Sequence, residues 1–516
     1  MKSGKFQPIN GKCYTGAGQS MVAMVEMLHH IDHGRKPVIF ALYDAIFSAN
    51  YEVNADILEA HNVFPGGYLQ IGLALPLHDD QGLEALGKGQ YDEALTTLVR
   101  TYKSIGLPIF LRIGYEFDGP WNGYAPRLFI KAYRHIVDVF RKEQADNIAF
   151  VWNTYICDNQ DIFHWFPHDP DSQQQDGGNY IDWFAYNTVT AKFEADWFME
   201  QARAYDKPVM IGEASYAIVE EDMTFETWVD CFFTKIKQHH VQGYQYINWD
   251  WHVYPEATNW LDWACGRYTL DKQKVAQYNA YLDDYFVYRG QAYAQPVKLF
   301  VHCARGLKES DEKGMSWCKD KDHYTMESGY NYHLSESTLQ YGDGWKPYWQ
   351  SLEDHMALCI TLPKKTEGYL LLDVLDYSPN QMMIITVNDE TYNISHKGNG
   401  YIKIPLSNTD DKWASIEVAI TAMNSQVKLH QVGFMEIAYA LHAVGHLQGI
   451  TQDDKTRIQW TQVKDAFTYN VYINHWLQAI TQELHYDLEK IPEGSVIAVS
   501  PVSRTKGEGL LSKIVL

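Results

Sequence analysis

The chain has 516 residues, of which 46% are hydrophobic and 21% are charged, and its net charge is −22. This length exceeds one ordinary domain, and the composition is that of a folded protein and not of a disordered one. The negative charge argues against nucleic acid as a partner, because binding a phosphate backbone requires a basic face.

Residues 1–294 alternate short apolar runs with helical patterns, and several runs are almost continuously apolar, as in parallel strands covered on both faces. The eight runs are Tyr14–Gln19, Val38–Tyr43, Tyr68–Leu75, Ile109–Glu116, Ile148–Asn153, Ile181–Asn187, Val209–Ala214 and Tyr244–Trp251. Eight such repeats predict a (β/α)8 TIM barrel in the α/β class. An open doubly wound sheet is the alternative, and the absence of a Gly-rich nucleotide fingerprint disfavours it.

The helical patterns between these runs have apolar stripes. One stripe consists of Tyr91, Ala94, Leu95, Leu98, Val99 and Tyr102. The other consists of Phe129, Ala132, Tyr133, Ile136, Val137 and Phe140, with Pro126 placed at a helix start. Both stripes predict amphipathic helices that pack on the barrel.

After residue 294 the pattern changes to alternating, hairpin-like strands. Residues 295–437 predict an all-β sandwich, an accessory domain that either binds carbohydrate or braces the barrel. Residues 438–516 resemble a fibronectin type III or immunoglobulin-like β-sandwich through Arg457-Ile458-Gln459-Trp460 and Tyr469-Asn470-Val471-Tyr472-Ile473. The prediction is therefore a barrel followed by two all-β sandwich domains.

Targeting, metal and redox signals are weak. No run of 18 or more apolar residues occurs, and the first residues lack an apolar signal region. We expect a secreted or periplasmic protein whose signal peptide has been removed, with a cytoplasmic location left open.

The seven cysteines form no CxxC motif, although Cys303 and Cys318 could pair. His29, His30 and His33 do not match a metal motif, so no metal or cofactor is expected.

Two acidic residues lie at the ends of predicted barrel strands, where barrel enzymes hold their reactive groups. Glu116 ends the fourth run, and Glu213 lies near the end of the seventh. If Phe110 and Arg112 face the barrel axis, alternation directs Glu116 inward, and the same holds for Glu213 if Ile211 and Val209 face inward. The two carboxylates would then converge over the barrel mouth.

Paired carboxylates of this kind suit acetal hydrolysis. One must be protonated to donate to the leaving oxygen, and the other must be ionised to attack the anomeric carbon. A separation of roughly 5–5.5 Å gives double displacement with retention of configuration. Mutual repulsion helps to hold one pKa high while the other stays low.

The residues around these acids resemble the clan A (4/7) glycoside hydrolases, which have the acid/base on strand four and the nucleophile on strand seven. Within the clan, they are most similar to glycoside hydrolase family 26, the β-mannanases. The matching motifs are Arg112 before Glu116, Asp118-Gly119-Pro120-Trp121, Ala132-Tyr133-Arg134-His135-Ile136-Val137, Val151-Trp152-Asn153, Trp165-Phe166-Pro167, Asn179-Tyr180-Ile181-Asp182 and Tyr186-Asn187.

The resemblance implies that Glu116 is the general acid/base and Glu213 the nucleophile. It implies that Tyr186 orients the nucleophile and that Trp249 forms a platform under the sugar. Further candidate sugar-binding residues are Arg112, Tyr115, Asp118, Trp121, Trp152, Asn153 and Trp251. Trp121, Trp152 and Trp251 could equally pack in a core. Asp118 and Asn153 could bond sugar hydroxyls, but loop Asp and Asn residues more often form turns.

Tyr115 departs from the family pattern. The family usually has His directly before the acid/base and the wider clan has Asn, and this residue touches the sugar next to the scissile bond. The phrase around Glu116 is also similar to bacterial endo-β-1,3-glucanases and marine galactan hydrolases of the clan. We therefore predict a retaining endo-glycoside hydrolase acting on a polysaccharide or oligosaccharide, namely mannan, β-1,3-glucan or red-algal galactan. The alternative is a non-catalytic carbohydrate-binding protein on a barrel scaffold.

Overall fold

The computed structural model divides into two compact units: unit 1 comprises Met1–Val53 and Gly67–Gln291, and unit 2 comprises Asn54–Gly66 and Ala292–Leu516. The structure describes residues 4–32, 34–51, 53–158, 160–172, 174–189, 193–219, 222–249, 251, 263–290, 296–302, 324–325, 331–334, 339–342, 348–351, 355–374, 382–388, 390–395, 400–422, 428–452 and 454–516. The candidate pair Cys303 and Cys318 and the histidine His33 lie outside these residues.

Unit 1 contains a closed barrel of eight parallel strands, as the sequence predicts. The strands are β1 (Cys13–Tyr14) and β2 (Gly16–Gly18), which together form the first, then β3 (Ile39–Ala45), β4 (Tyr68–Ala74), β5 (Ile109–Ile113), β6 (Ile148–Thr154), β7 (Trp183–Thr188), β8 (Val209–Ala214) and β9 (Gly243–Ile247). Strand β9 pairs with both β8 and β2 and so closes the barrel. A short strand β10 (Phe286–Val287) pairs in parallel with β1.

Helices follow the strands. They are α1 (Met21–His30), α2 (Ala55–Val63), α3 (Asp80–Gly87), α4 (Asp92–Ile105), α5 (Pro126–Lys142), α6 (Asp196–Ala204), α7 (Phe225–Gln238) and α8 (Lys272–Ala280), with 3-10 turns at Ile9–Gly11, Gln160–Trp165, Gly177–Asn179 and Tyr268–Leu270. Pro126 occupies the first turn of α5, and Gly106 ends α4 with φ of 67°. The predicted stripes on α4 and α5 are buried, except Tyr91, which caps α4. No helix in the described ranges is long and apolar enough to cross a membrane.

The barrel interior changes from apolar to polar along its axis. Its apolar layer includes Phe110 of β5, Val151 of β6, Trp183 and Ala185 of β7, and Met210 of β8. Because side chains alternate along a strand, two residues further on the inward positions are Arg112, Asn153 and Asn187. All three are buried.

Strand β8 departs from the expected alternation. The sequence-based geometry assumed that Val209 and Ile211 face inward, but the inward residue is Met210. The register between β7 and β8 shifts at Gly212, because Ile211 pairs with Tyr186 and Glu213 pairs with Asn187. This bulge returns Glu213 to the interior, which strict alternation from Met210 would not do. The Gly212 carbonyl accepts a hydrogen bond of 2.8 Å from Gln70 Nε2.

Unit 2 is built from antiparallel sheets, as predicted. Its strands are β11 (Val297–His302), β12 (Tyr324–Thr325), β13 (Asn331–Leu334), β14 (Leu339–Gly342), β15 (Tyr348–Ser351), β16 (His355–Leu362), β17 (Thr366–Val374), β18 (Met382–Val387), β19 (Glu390–Ser395), β20 (Gly400–Asn408), β21 (Ala414–Ala422), β22 (Lys428–Glu436), β23 (Gln448–Gln452), β24 (Lys455–Gln459), β25 (Thr468–Ile473), β26 (Trp476–Thr481), β27 (His485–Glu489), β28 (Val496–Ser503), β29 (Gly507–Glu508) and β30 (Ser512–Val515).

The described residues of unit 2 form two apolar cores. One lies between the sheet containing β17, β20 and β22 and the sheet containing β16, β18 and β21. The other is formed around Ile458, Trp460, Tyr469, Val471 and Val499. Strand β20 also pairs with β26 through Ile402 and Trp476. One sheet therefore contains strands from both sides of the predicted domain boundary at residues 437 and 438. The division of 295–516 into two domains therefore stays a prediction.

Helix α2 belongs to unit 2 although its sequence lies between barrel strands β3 and β4. Its Glu59 accepts a hydrogen bond of 2.8 Å from Lys403 Nζ, and Glu508 accepts one of 2.6 Å from the same nitrogen. Tyr472 and Ser500 donate to the other oxygen of Glu508. Burial alone would lower the pKa of Lys403, but the carboxylates of Glu508 and Glu59 raise it, so the lysine stays charged.

Replacing Lys403 tests this buried ion cluster. In Lys403→Met, two buried carboxyl groups lose their cation, and breaking a buried pair in this way costs about 3–5 kcal/mol. We expect the free energy of unfolding, measured by urea denaturation, to fall by about that amount. Lys365→Met is the matched control, because Lys365 pairs with Asp411 at the surface of the same unit and such pairs contribute about 1 kcal/mol or less. Equal losses in the two variants would contradict a structural role for the cluster.

Candidate active site

Glu116 lies just beyond the end of β5, in a turn held in an uncommon backbone conformation. Gly114 and Glu116 have φ of 54° and 53°, a left-handed region that non-glycine residues rarely adopt. The Glu116 N–H donates to the Asn153 carbonyl at 2.9 Å. Asn122 Nδ2 donates to the carbonyls of Tyr115 and Glu116 at 2.9 and 2.7 Å. These bonds fix the direction in which the Glu116 side chain leaves the backbone.

Glu213 is held through one of its two carboxylate oxygens. Its Oε1 accepts hydrogen bonds of 2.7 Å from the Tyr43 hydroxyl and 2.7 Å from Arg112 Nη1. Glu213 is 8% exposed and Arg112 is fully buried, so this ion pair is screened little by water. Within the described residues, no hydrogen bond is recorded to Glu213 Oε2.

A continuous line of hydrogen bonds joins the two carboxylates. Arg112 Nη1, bonded to Glu213, also donates to Asn153 Oδ1 at 2.8 Å. Asn153 Nδ2 donates to Asn187 Oδ1 at 3.2 Å, and Asn187 Nδ2 donates to Glu116 Oε1 at 2.6 Å. We call Arg112, Asn153 and Asn187 the bridge. Its residues lie on three consecutive strands, β5 to β7. Its bond to Glu213 is donated by a guanidinium and is therefore charge-assisted, which makes it stronger than a neutral hydrogen bond.

Two glycines leave room for this polar layer. A Cβ on Gly72 would lie 2.8 Å from the Tyr43 ring, 3.0 Å from the Tyr115 ring and 3.1 Å from Arg112 Nη2. A Cβ on Gly212 would lie 2.7 Å from Asn153 Oδ1. Any larger residue at either position would therefore displace the groups that hold the carboxylates.

The two carboxylates have different environments. Glu213 contacts a guanidinium, whereas Glu116 contacts only neutral donors. Burial and the charge of Glu213 raise the pKa of Glu116 to about 8, against the smaller opposing effects of Asn187, Arg112 and Trp121. A carboxyl group that stays protonated near neutral pH can act as a general acid.

Aromatic rings surround Glu116 on its open side. Trp121 is 46% exposed, and its Nε1 donates to Glu116 Oε2 at 2.9 Å. The ring of Tyr155 meets Trp121 edge to face, with 4.5 Å between centroids. Tyr115 lies 5.1 Å from the Arg112 guanidinium and 5.2 Å from the Tyr43 ring. The predicted residues Arg112, Tyr115, Trp121 and Asn153 therefore gather around the two acids.

Two other candidates on this side have structural contacts. Trp152 is fully buried and stacks on Phe117 at 4.7 Å, on the helix side of β6. Asp118 accepts hydrogen bonds from the Thr154 hydroxyl at 2.8 Å and from the Tyr155 N–H at 2.7 Å. Asp118 thus fixes the loop that carries Tyr155. In this structure, Trp152 packs in the core, which was the other interpretation of that residue.

The tryptophans after β9 are also largely buried. Trp249 is 7% exposed and Trp251 5%, and both pack in a cluster that includes Ala23 and Ala217. Trp251 Nε1 donates to the Ser215 hydroxyl at 3.1 Å. Residues 250 and 252–262, which surround Trp251 in the sequence, are outside the described ranges. A sugar platform at Trp249 or Trp251 stays a prediction.

The phenol that contacts Glu213 is that of Tyr43 and not that of Tyr186. Tyr186 faces away from the barrel axis, with its ring 5.6 Å from Phe198 of α6. A strand-end bulge could have turned Tyr186 inward, but the shift between Tyr186 and Asn187 leaves Asn187 inward. The sequence carries a signal for each residue. Tyr43 ends a predicted strand, and alternation places Asn187, not Tyr186, on the same side as Trp183 and Ala185.

No group of three or more His, Cys, Asp or Glu side chains suited to a metal occurs among the described residues. His29 and His30 lie next to each other on α1, with ring centroids 5.1 Å apart.

Comparison with known proteins finds hydrolases of polysaccharides. No family model matches the chain. A β-1,3-xylanase of a Vibrio species is 27% identical over 229 residues, which are 38% of this chain and 46% of the xylanase. A β-1,3-xylanase of an Alcaligenes species is 23% identical over 227 residues, 38% of this chain and 45% of the relative. The chain thus spans less than half the length of these two curated relatives.

Solved structures similar to the chain include a GH26 β-mannanase from Bacteroides ovatus, with a TM-score of 0.37 and 10% identity over 54% of this chain and 91% of the mannanase. The curated relatives are glycoside hydrolases, in agreement with the resemblance to this class of enzyme. At this TM-score and identity the structural similarity adds no argument for a family. The similarity does not by itself assign an activity to this chain.

The raised pKa of Glu116 predicts a pH dependence of stability. Its folded-state pKa of about 8 lies above the ordinary value of 4.5, so the folded protein binds the proton more tightly than the unfolded chain. Stability from this group is present at low pH and is lost as pH rises through about 8. We expect the melting temperature of the intact protein to fall between pH 6 and pH 9 relative to that of Glu116→Gln, which cannot titrate.

The control for this measurement is Glu200→Gln, which removes an exposed glutamate of α6. Its melting curve should follow the intact protein at every pH. Parallel curves for the intact protein and Glu116→Gln would mean that the pKa of Glu116 is not raised.

Proposed function

We propose that the chain is a retaining endo-glycoside hydrolase that cleaves a β-linked polysaccharide by double displacement. The observation that carries the proposal is the bridge between Glu213 and Glu116, which holds one carboxylate against a guanidinium and the other among neutral donors. The similarity to two β-1,3-xylanases supports it independently. Polymers of this kind do not cross membranes, so we propose that the reaction takes place outside the cell or in the periplasm.

Glu116 is the proposed acid/base. Its Oε1 is occupied by Asn187, while its Oε2 faces the half-exposed Trp121. In the first step, the proton on Glu116 passes to the glycosidic oxygen, and the leaving part of the chain departs as an alcohol. In the second step, the Glu116 carboxylate accepts a proton from water, and the resulting oxygen nucleophile attacks the anomeric carbon.

Glu213 is the proposed nucleophile. Arg112 and Tyr43 bond the same oxygen, Oε1, which fixes the carboxylate plane. Oε2 is then the oxygen that attacks the anomeric carbon and forms the glycosyl ester. When water cleaves the ester, Oε2 regains its electron pair and Arg112 again faces a full negative charge.

The proposed substrates remain those favoured by the sequence, with β-1,3-xylan added because of the xylanase relatives. Trp121, Tyr155 and Tyr115 offer aromatic faces near Glu116 on which the apolar faces of sugar rings can pack. A screen of β-1,3-xylan, β-1,3-glucan, mannan and red-algal galactan, with product sizes read by chromatography, identifies the polymer and separates endo from exo action.

Glutamine substitutions test the two roles. Glu116→Gln and Glu213→Gln keep the shape but cannot donate a proton or attack, so we expect kcat on the cleaved polymer to fall by about 10³-fold or more. Glu200→Gln serves as the surface control. Products read by NMR at early times should have the β configuration. Unchanged turnover in both variants, or products of the α configuration, would falsify the proposed mechanism. If the intact protein binds the polymer but does not hydrolyse it, the alternative of a non-catalytic carbohydrate-binding protein is favoured.

The position of the orienting phenol is tested by a matched pair of tyrosines. Tyr43→Phe removes the donor to Glu213 Oε1 but keeps the ring. A hydrogen bond to a charged group contributes about 1.5–3 kcal/mol, so we expect kcat to fall roughly 10- to 150-fold. Tyr186→Phe removes a phenol that faces α6 and should change kcat by about twofold or less. A larger loss of kcat in Tyr186→Phe than in Tyr43→Phe would mean that Tyr186 orients the nucleophile, as the family resemblance implies.

A further inference from the structure

A cavity of about 400 Å³ lies in unit 2, on the solvent face of the three-stranded sheet β23–β24–β27. Its lining includes His446, Gln448, Arg457, Gln459, Trp460 and Leu484. We call it the C-terminal groove. We propose that the C-terminal groove binds an uncharged saccharide chain as a second, non-catalytic glycan site. Its volume is within the range of small-ligand sites, about 300–1,000 Å³.

The floor of the groove consists of planar polar groups arranged in rows across the three strands. Gln448, Gln459 and His485 lie directly opposite one another. The next row on this face contains Ile450, Arg457 and Asp487, of which Arg457 lines the cavity. Gln459 Nε2 donates to Gln448 Oε1 at 3.3 Å. Each amide therefore keeps donor or acceptor capacity for a ligand after this bond is made.

The charges of the floor are paired. Arg457 donates from Nε and Nη2 to the two oxygens of Asp487, at 2.6 and 2.7 Å. This fork-like pairing fixes the guanidinium plane and leaves Nη1 to donate elsewhere. Because Asp487 already neutralises Arg457, the floor offers fixed hydrogen-bonding groups and little net charge. Such a surface suits hydroxyl groups better than phosphate or sulfate.

The far end of the groove has an apolar edge. Leu484 is 38% exposed, and its carbonyl accepts a hydrogen bond of 3.1 Å from the Trp460 N–H. The Trp460 side chain is 5% exposed and packs in the apolar core around Ile458. Apolar surface beside the amide groups of Gln448 and Gln459 matches a pyranose ring, which has apolar faces and a rim of hydroxyls.

Hydrogen bonds and buried residues beneath the C-terminal groove hold its backbone in place, so that ligand binding requires little ordering of the protein. Thr461 donates from its N–H and its hydroxyl to the Gly445 carbonyl, both at 2.9 Å, which fixes the turn that carries His446. On the opposite face of β24, Thr456 and Ile458 are fully buried. A site whose side chains are already held loses little conformational entropy on binding.

Affinity electrophoresis of the full chain in native gels with neutral polysaccharides tests the proposal, with Glu213→Gln as the background so that polymer is not consumed. The groove variant is Gln448→Ala/Gln459→Ala. The control is Gln452→Ala/Lys455→Ala, a cross-strand pair on the same face and the same two strands but outside the cavity. We expect the dissociation constant from retardation to rise about fivefold or more in the groove variant and less than about twofold in the control.

A second variant, Leu484→Arg, places a bulky charge at the exposed edge and should weaken retardation without altering the melting curve. The proposal is overturned if the groove variant and the control variant are retarded to the same extent, whether or not both bind more weakly than the background protein. It is also overturned if only sulfated polymers retard the protein. It rests on the proposed function only in taking glycans as the ligand class. Because hydrolysis is read from Glu116 and Glu213 and binding from the groove variants, either can fail while the other stands.

Discussion

The buried pair of Arg112 and Glu213 constrains the rest of the barrel. A fully buried guanidinium is costly unless its charge is paired. Arg112 Nη1 donates to both Glu213 and Asn153, whereas Nε and Nη2 have no hydrogen-bond partner among the described residues. The layer of the barrel interior that follows Phe110 toward the carboxyl ends of the strands must therefore be polar. It must also have space for the Arg112 side chain, which Gly72 provides. Arg112 contacts Glu213 directly, whereas burial, together with the charge of Glu213, raises the pKa of Glu116. The two acids thus differ in burial and in their distance from one ion pair.

The fold was accessible from sequence because its signals are local and repeated. Eight apolar runs, amphipathic stripes and the change of pattern after residue 294 are set by burial along each element, and the structure confirms the barrel and the antiparallel β domains. Two features were not accessible. The bulge at Gly212 depends on pairing with the neighbouring strand β7, and the membership of α2 in unit 2 depends on partners hundreds of residues away.

Part of the candidate site could be predicted because some of its residues also follow from local patterns in the sequence. Glu116 and Glu213 were predicted because strand ends are visible in a sequence, and Arg112 because it follows from alternation. Asn153 was predicted because it ends a predicted strand within a motif that resembles the family. Alternation also pointed to Asn187, but the family resemblance pointed to Tyr186, and the structure favours the geometric argument. No local pattern tells that the Tyr43 ring reaches Glu213 across the barrel, because that contact is fixed by closure of the sheet.

The place of α2 in unit 2 has a consequence for synthesis of the chain. Glu59 and Lys403 are 344 residues apart, and ribosomes add about 5–20 residues per second. Glu59 therefore leaves the ribosome roughly 20–70 seconds before its cation exists, while barrel strands on both sides of α2 are already complete. Glu508, the third member of the cluster, follows Lys403 by another 105 residues. The nascent protein must therefore hold α2 in water until both Lys403 and Glu508 have been synthesised.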